Sequence, residues 1–189
     1  MHPGIVLIGL WVAWALSWLV AARWASRPTR IETTRNAAIY RMALLTGGLL
    51  LAVPAHSAWA MHLWWPGHVQ AWLLVLLAAA GFAFAWWARL HLGRLWSSSV
   101  TIKPDHHIVD TGPYGLVRHP IYAGLLLAVL ATVLIKGGLL GIGGGVIILA
   151  GIIVKARLEE GFLREDLGRE AYDSYARRVP MLVPFLRFG

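Results

Sequence analysis

The sequence predicts an all-α integral membrane protein of five transmembrane helices, the last two forming a short hairpin. Three observations carry this reading. Of 189 residues, 58% are hydrophobic and 14% charged, against the roughly 45 to 50% apolar share of soluble domains. Five apolar runs cover Gly4 to Ala22, Ile39 to Met61, Val69 to Ala88, Ile121 to Ile135 and Leu139 to Val154. Arg and Lys fall on one side of this map: Arg23, Arg27, Arg30, Arg35 and Arg41 after the first run, Arg89, Arg94, Lys103 and Arg118 after the third, and Lys155, Arg157, Arg164, Arg169, Arg177, Arg178 and Arg187 after the fifth, with Lys136 alone opposite. The positive-inside rule then places the N-terminus outside and the C-terminus in the cytoplasm.

A bilayer core needs roughly 20 helical residues, so the first three runs each suffice and the last two are short. The first run has no basic region before it and no small-residue cleavage site, and reads as an anchor rather than a removed signal peptide. Its Trp11, Trp14 and Trp18 share one helix face, facing lipid or packing. In the second run Pro54 should kink the helix, with His56 and Ser57 near the freed carbonyl. An intramembrane His is a functional candidate or a hydrogen-bonded packing residue, and the residues leave both open. Trp64 and Trp65 on the outer side, with Trp24, Trp86, Trp87 and Trp96 on the inner, suit interfacial belts. Gly137 and Gly138 turn the hairpin, and Gly137, Gly141 and Gly145 recur every fourth residue, allowing close helix approach.

Several classes of function are disfavoured. There is no Cys, hence neither disulfide nor thiolate nucleophile. The net charge of +8 is spread around apolar runs, which points to anionic lipid of the inner leaflet and not to nucleic acid. "GIGGG" lies inside an apolar span without a following Lys-Ser or Lys-Thr, so it is a packing element and not a phosphate loop. His106 and His107, adjacent on an extended loop, point opposite ways and make a poor metal pair. No metal is expected.

The chemistry-bearing residues lie in two stretches. In "TGPYGLVRHPIYAG", Thr111 to Gly124, the first five residues form a turn, and Pro120 occupies the first helical position after His119. The backbone N–H groups of that helix start, with its dipole, suit a carboxylate or phosphate. In "VKARLEEGFLREDLGREAYDSYARRVPMLVP", Lys155 and Glu159 are one turn apart on one helix face, with Glu160 on a different one. By themselves they could be a snorkelling lysine and a solvated acidic pair.

Together, from about Ser99 to Phe185, these stretches resemble the isoprenylcysteine carboxyl methyltransferase and phospholipid methyltransferase superfamily: "GPYGLVRHPIYAG", a short hairpin, "EE", then "LGREAYDSYARRVPMLVP". The resemblance implies an S-adenosylmethionine-dependent methyltransferase whose cytoplasmic cofactor pocket is formed by the loop before the fourth helix and the C-terminal tail. A lipidic or small apolar acceptor would come from the membrane. Residues 1–98 would be N-terminal transmembrane helices and 99–189 the methyltransferase core, in a multi-pass protein of a bacterial inner membrane. Carried over by position, His106, His107, Ile108 and Val109 would line the cofactor as an extended strand. Tyr114 would be its turn contact, His119, Pro120, Ile121 and Tyr122 the motif at the helix start, and Glu159 the acidic residue on the cofactor. Lys155 and Arg118 are the expected catalytic residues. Prenylcysteine-methylating relatives carry an arginine where this chain has Lys155, and lysine is a point charge, not a bidentate clamp. The acceptor is therefore open among a carboxylate, a lipid amine and a thiol. The alternative enzyme class is an NADPH-dependent membrane sterol or enone reductase, which shares an RHP-like motif but commonly has Asn where Ile121 stands. A non-enzymatic scaffold would leave the polar helix mouth without a purpose.

Overall fold

The computed structural model describes residues 2–24, 30–31, 34–54, 61–93, 101–102 and 108–186. Within them the chain runs α1 (Pro3–Ala21), a 3-10 turn (Ala22–Trp24), β1 (Arg30–Ile31), α2 (Thr34–Ala52), α3 (His68–Leu92), β2 (Thr101–Ile102), α4 (Pro113–Leu116), α5 (Pro120–Lys136), α6 (Leu139–Leu167) and α7 (Arg169–Arg178). The two strands form one short antiparallel pair, Arg30 opposite Ile102 and Ile31 opposite Thr101. Three helices, α1, α3 and α6, are long and apolar enough to cross a membrane, and α5, with 17 residues, is apolar but shorter. Arg35, Asn36 and Arg41 make α2 more polar than these four.

Two boundaries differ from the sequence expectation for physical reasons. α2 starts at Thr34, ahead of the second apolar run, and ends at Ala52, so Val53 and Pro54 lie outside it. A proline disfavours the helical conformation of the residue before it, so the helix closes ahead of Val53. Lys136 Nζ then donates to the Val53 carbonyl, tying the end of α2 to the end of α5. The last helix is not short: its apolar part continues as a polar extension to Leu167, where Gly168, at φ +89°, breaks it before α7. His56 and Ser57 lie outside the described residues, as do Arg94, Trp96 and Lys103.

The helices pack in two principal pairs, α3 with α5 and α2 with α6, while α5 and α6 touch each other far less. The turn between them is tight, but the two helices then serve different partners. Gly137 makes the turn in the left-handed region, φ +63°, and its carbonyl accepts from the N–H groups of Leu63 (2.7 Å) and Trp64 (3.1 Å). Small residues set both pairs. A Cβ on Gly81 of α3 would lie 2.5 Å from the carbonyl oxygen of Gly124 in α5. A Cβ on Gly47 of α2 would lie 2.6 Å from Ile148 Cγ1 and 2.7 Å from the Gly144 oxygen in α6. Backbones this close gain dispersion contacts along the whole seam, which is how helices associate where lipid gives no hydrophobic drive.

Helix α1 lies against α3 through its tryptophans. Trp11 meets Phe82 edge-on at 4.9 Å, Trp14 stacks on Phe82 and on Trp18, and Trp18 meets Trp86 edge-on at 5.5 Å. Trp11 Nε1 donates to Thr132 Oγ1 (3.0 Å), carrying the contact to α5. The shared face read from the sequence is thus a packing face.

The seam is testable. Gly81→Ala should destabilise the protein by ~1 to 3 kcal/mol, the usual cost of overpacking, whereas Gly143→Ala, where the added carbon meets nothing within 4 Å, should be neutral or better. Thermal unfolding in detergent, followed by Trp fluorescence, reads the difference; equal midpoints would mean the α3–α5 seam is not close-packed.

Candidate functional site

The site forms where the start of α5 meets the polar extension of α6. His119 is the N-cap of α5 and Pro120 its first residue, and the first helical bond of that turn is Ala123 N–H to the His119 carbonyl at 3.0 Å. The backbone N–H groups of Ile121 and Tyr122 precede that bond, and the His119 side chain makes no cap bond to them. The imidazole turns instead to α6. Its Nε2 lies 3.1 Å from Glu160 Oε1 and its Nδ1 3.6 Å from Glu159 Oε2. Glu160, expected on a separate face, therefore converges on the same ring as Glu159.

The two carboxylates differ in their surroundings. Glu160 is sealed, its side chain 7% exposed, and takes Arg118 Nε at 2.7 Å as well as His119, with Arg164 at 3.7 Å one turn on. Glu159 is 22% exposed, accepts from the Tyr122 hydroxyl at 2.5 Å, and lines a cavity together with Lys155. The ammonium of Lys155 sits 5.4 Å from the ring centres of both Tyr40 in α2 and Tyr122 in α5, within the range of a cation–π contact.

The C-terminal tail closes the other side. Arg118 and His119 donate their backbone N–H groups to the carbonyls of Pro180 (2.8 Å) and Met181 (3.1 Å). The Arg118 guanidinium reaches further, to the carbonyls of Ala176 (3.0 Å) and Val179 (2.6 Å). Tyr175 donates its hydroxyl to the Tyr114 carbonyl at 2.8 Å, joining α7 to α4. Arg164 holds Asp173 at 2.7 Å. Tail, α5 start and α6 extension are one hydrogen-bonded unit.

Of the residues expected at the site, Tyr114, Arg118, His119, Pro120, Ile121, Tyr122, Lys155 and Glu159 all line this cavity, as do Ile108 and Val109. Ile108 and Val109 precede α4 in irregular backbone, not in a strand. Ile108 packs on Tyr172, Tyr175 and Val179, whereas Val109 joins Tyr114 and Ile121. His106 and His107 lie outside the described residues. The sequence reading missed Glu160, Tyr40, Tyr172 and Tyr175 as site components. The doubled "EE" was a signal for the first; nothing in the apolar α2 pattern singled out Tyr40. No group of three or more potential metal ligands occurs among the described residues.

The cavity encloses about 1740 Å³ and extends from Tyr172 and Leu167 past Lys155 along Leu125, Val129 and Ile148 to Pro3 and Lys136. Its walls are mostly apolar, supplied by α1, α2, α5 and α6, with polar groups gathered at the two ends.

Against known proteins, residues 72–161 match the isoprenylcysteine carboxyl methyltransferase (ICMT) family. This core is ICMT-like. The chain is 29% identical over 126 residues to protein-S-isoprenylcysteine O-methyltransferase B of Arabidopsis thaliana, covering 65% of this chain and 61% of the relative. To methanethiol S-methyltransferase of a Pseudomonas strain it is 44% identical over 71 residues, 38% of this chain and 26% of the relative. To the cobalt-zinc-cadmium resistance protein CzcN of Cupriavidus metallidurans it is 31% identical over 137 residues, 66% of this chain and 56% of the relative. The chain thus spans less than two thirds of the length of these relatives. The matched segment begins inside α3 and ends just past Glu159 and Glu160, so it includes α5, Lys155 and the carboxylate pair.

The ICMT-like core has a pH signature. Burial disfavours the charged imidazole of His119, but its hydrogen bonds to Glu159 and Glu160, with their charges, outweigh that and raise its pKa above the ordinary value. Arg118 beside it and Tyr122, stacked at 5.5 Å, complete its surroundings. A raised folded-state pKa stabilises fully below the unfolded value of ~6.5 and is lost as pH climbs through the folded value. Wild type should therefore lose thermal stability above about pH 6.5 more steeply than His119→Gln; parallel pH profiles of the two midpoints would show that His119 is not held as a cation.

Proposed function

We propose that this chain is an S-adenosylmethionine-dependent methyltransferase of a lipidic or membrane-partitioned acceptor, with the site described above as its active site. One observation carries the reading. Of two adjacent carboxylates, Glu160 is sealed between Arg118 and His119, and Glu159 is left on the wall of the cavity beside Lys155. The ICMT-like core and the methyltransferase relatives support it.

The donor set fits the cofactor. Glu159 suits its ammonium or ribose hydroxyls, the N–H groups at the α5 start suit its carboxylate, and Ile108, Val109, Ile121 and the tyrosine rings suit its adenine. When bound, S-adenosylmethionine supplies an electrophilic methyl group on a sulfonium. The residues of this chain position and exclude. Tyr122 fixes the Glu159 carboxylate, Arg118 closes the tail over the α5 start, and the apolar walls keep water from the acceptor atom. Alignment of this kind supplies ~7 to 11 kcal/mol without a protein nucleophile. Lys155 draws the polar group of the acceptor to the membrane end of the pocket, and Arg118 acts as a positioning residue.

The acceptor is apolar in its bulk, which the long apolar cavity supports, and it carries a polar or anionic group that meets Lys155. Five crossings, with the His119 loop and the C-terminus in the cytoplasm, agree with the Arg and Lys distribution. In this arrangement α2 and α5 span alongside α1, α3 and α6.

Calorimetry tests the reading of Glu159. Charge-assisted hydrogen bonds are worth ~1.5 to 3 kcal/mol, so Glu159→Gln should weaken S-adenosylmethionine binding about tenfold to a hundredfold. Glu170→Gln, at an exposed position of α7, should leave it unchanged. Unchanged affinity in the Glu159 variant would remove that residue from the cofactor, and binding of NADPH in place of S-adenosylmethionine would overturn the reaction class. Lys155→Ala should slow methyl transfer to an acidic apolar acceptor while cofactor affinity holds; a loss of cofactor affinity instead would assign Lys155 to the cofactor.

A further inference from the structure

The segment after α7 has a feature that the site does not use. Pro180 and Met181 spend their carbonyls on the Arg118 and His119 amides, and the very next residue, Leu182, packs against the cluster of Val129, Ile148 and Ile152. Those three side chains belong to the apolar runs of α5 and α6. Leu182 thus puts the tail at the depth of the membrane end of the helices. A turn closed by Leu186 N–H to the Val183 carbonyl (3.2 Å) follows, and there Val183 is 46%, Leu186 51% and Phe185 96% exposed. One helix earlier, Arg177 and Arg178 are exposed, the latter also 3.4 Å from Asp110.

We infer that the Leu182–Leu186 turn is a membrane anchor that inserts Val183, Phe185 and Leu186 into the bilayer leaflet on the His119 side, with Arg177 and Arg178 on its anionic headgroups. The partner follows from depth and charge. A fully exposed phenylalanine flanked by two half-exposed aliphatics is the composition that lies at an acyl–headgroup boundary, and basic residues at the adjacent helix end match anionic lipid. A water-facing turn would gain nothing from these side chains, and Leu182 holds them beside helices whose own outer faces are apolar. The anchor acts on the site because the same tail carbonyls, one residue before it, fix the backbone of Arg118 and His119.

The chain has no cysteine, so a single labelled position reports cleanly. Phe185→Cys carrying an environment-sensitive fluorophore is reconstituted as the full chain in vesicles of phosphatidylcholine with phosphatidylglycerol. Leu186→Cys is a second position should the first variant fold poorly, and Glu170→Cys on the exposed face of α7 is the aqueous reference. At 185 or 186 the emission should shift to the blue, be quenched by acyl-chain-brominated lipid, and be several-fold less sensitive to iodide than at 170. Removing phosphatidylglycerol should raise iodide access at 185, and Arg177→Glu with Arg178→Glu should do the same. Equal iodide access at 185 and 170 would overturn the anchor. So would a blue-shifted signal that brominated lipid does not quench and that disappears on diluting protein in lipid, because the turn would then be buried in a second copy. Insensitivity to phosphatidylglycerol and to the arginine reversals would overturn its anionic-lipid part.

Discussion

Two adjacent carboxylates at the polar end of an apolar helix have to be neutralised, and the site takes its form from how that is done. Charges removed from water cost more than they return unless each is paired and hydrogen-bonded. Glu160 takes Arg118 and His119, which arrive together from the start of α5. This fixes the rotation of α5 about its axis, because the consecutive residues Arg118 and His119 must both face α6. Tyr122, one turn further on, then meets Glu159. The guanidinium of Arg118 has donors left for the Ala176 and Val179 carbonyls, so one ion pair also sets the path of the tail. The cavity wall, the helix start and the C-terminal segment are joined through a single sealed carboxylate.

The helix seams set how the hairpin is held. Gly81 against Gly124 and Gly47 against Gly144 draw α5 to α3 and α6 to α2, while α5 and α6 still meet through Val129 and Val133 against Gly145, Ile148 and Ile152. The Gly137 turn and its bonds to Leu63 and Trp64 keep the far ends together. The cavity is walled by α1 and α2 together with α5 and α6, helices whose backbone groups are hydrogen-bonded within themselves.

Much of this was legible in the sequence, and the limits have identifiable causes. Pro120 after His119 marked the α5 start to the residue, because proline at the first helical position is a local rule that packing does not override. The apolar runs located α1 and α3 nearly to their ends. The same local rules misplaced the bounds of α2, which runs from Thr34 to Ala52 and stops ahead of Pro54, and shortened α6, whose polar extension has no apolar period to reveal it. At the site, Lys155, Glu159 and Tyr122 were reached because they are spaced on helices next to a recognisable motif. Tyr40 was not, because only the tertiary pairing of α2 with α6 brings it to Lys155. Glu160 was visible but assigned to another face, since helical spacing cannot show that one imidazole spans two neighbouring carboxylates.

The distribution of arginine and lysine in the site follows from the same physics. Arg118 must satisfy a carboxylate and two carbonyls from one planar group, and only a guanidinium offers that many donors in a fixed fork. Lys155 lies between two aromatic faces, Tyr40 and Tyr122, at equal distances of 5.4 Å. An ammonium suits that place: it is compact, and its charge is met by both rings. A guanidinium there would be committed to stacking on one ring. The lysine therefore meets the cavity wall as a point charge between two rings, while the arginine holds the tail in a single arrangement.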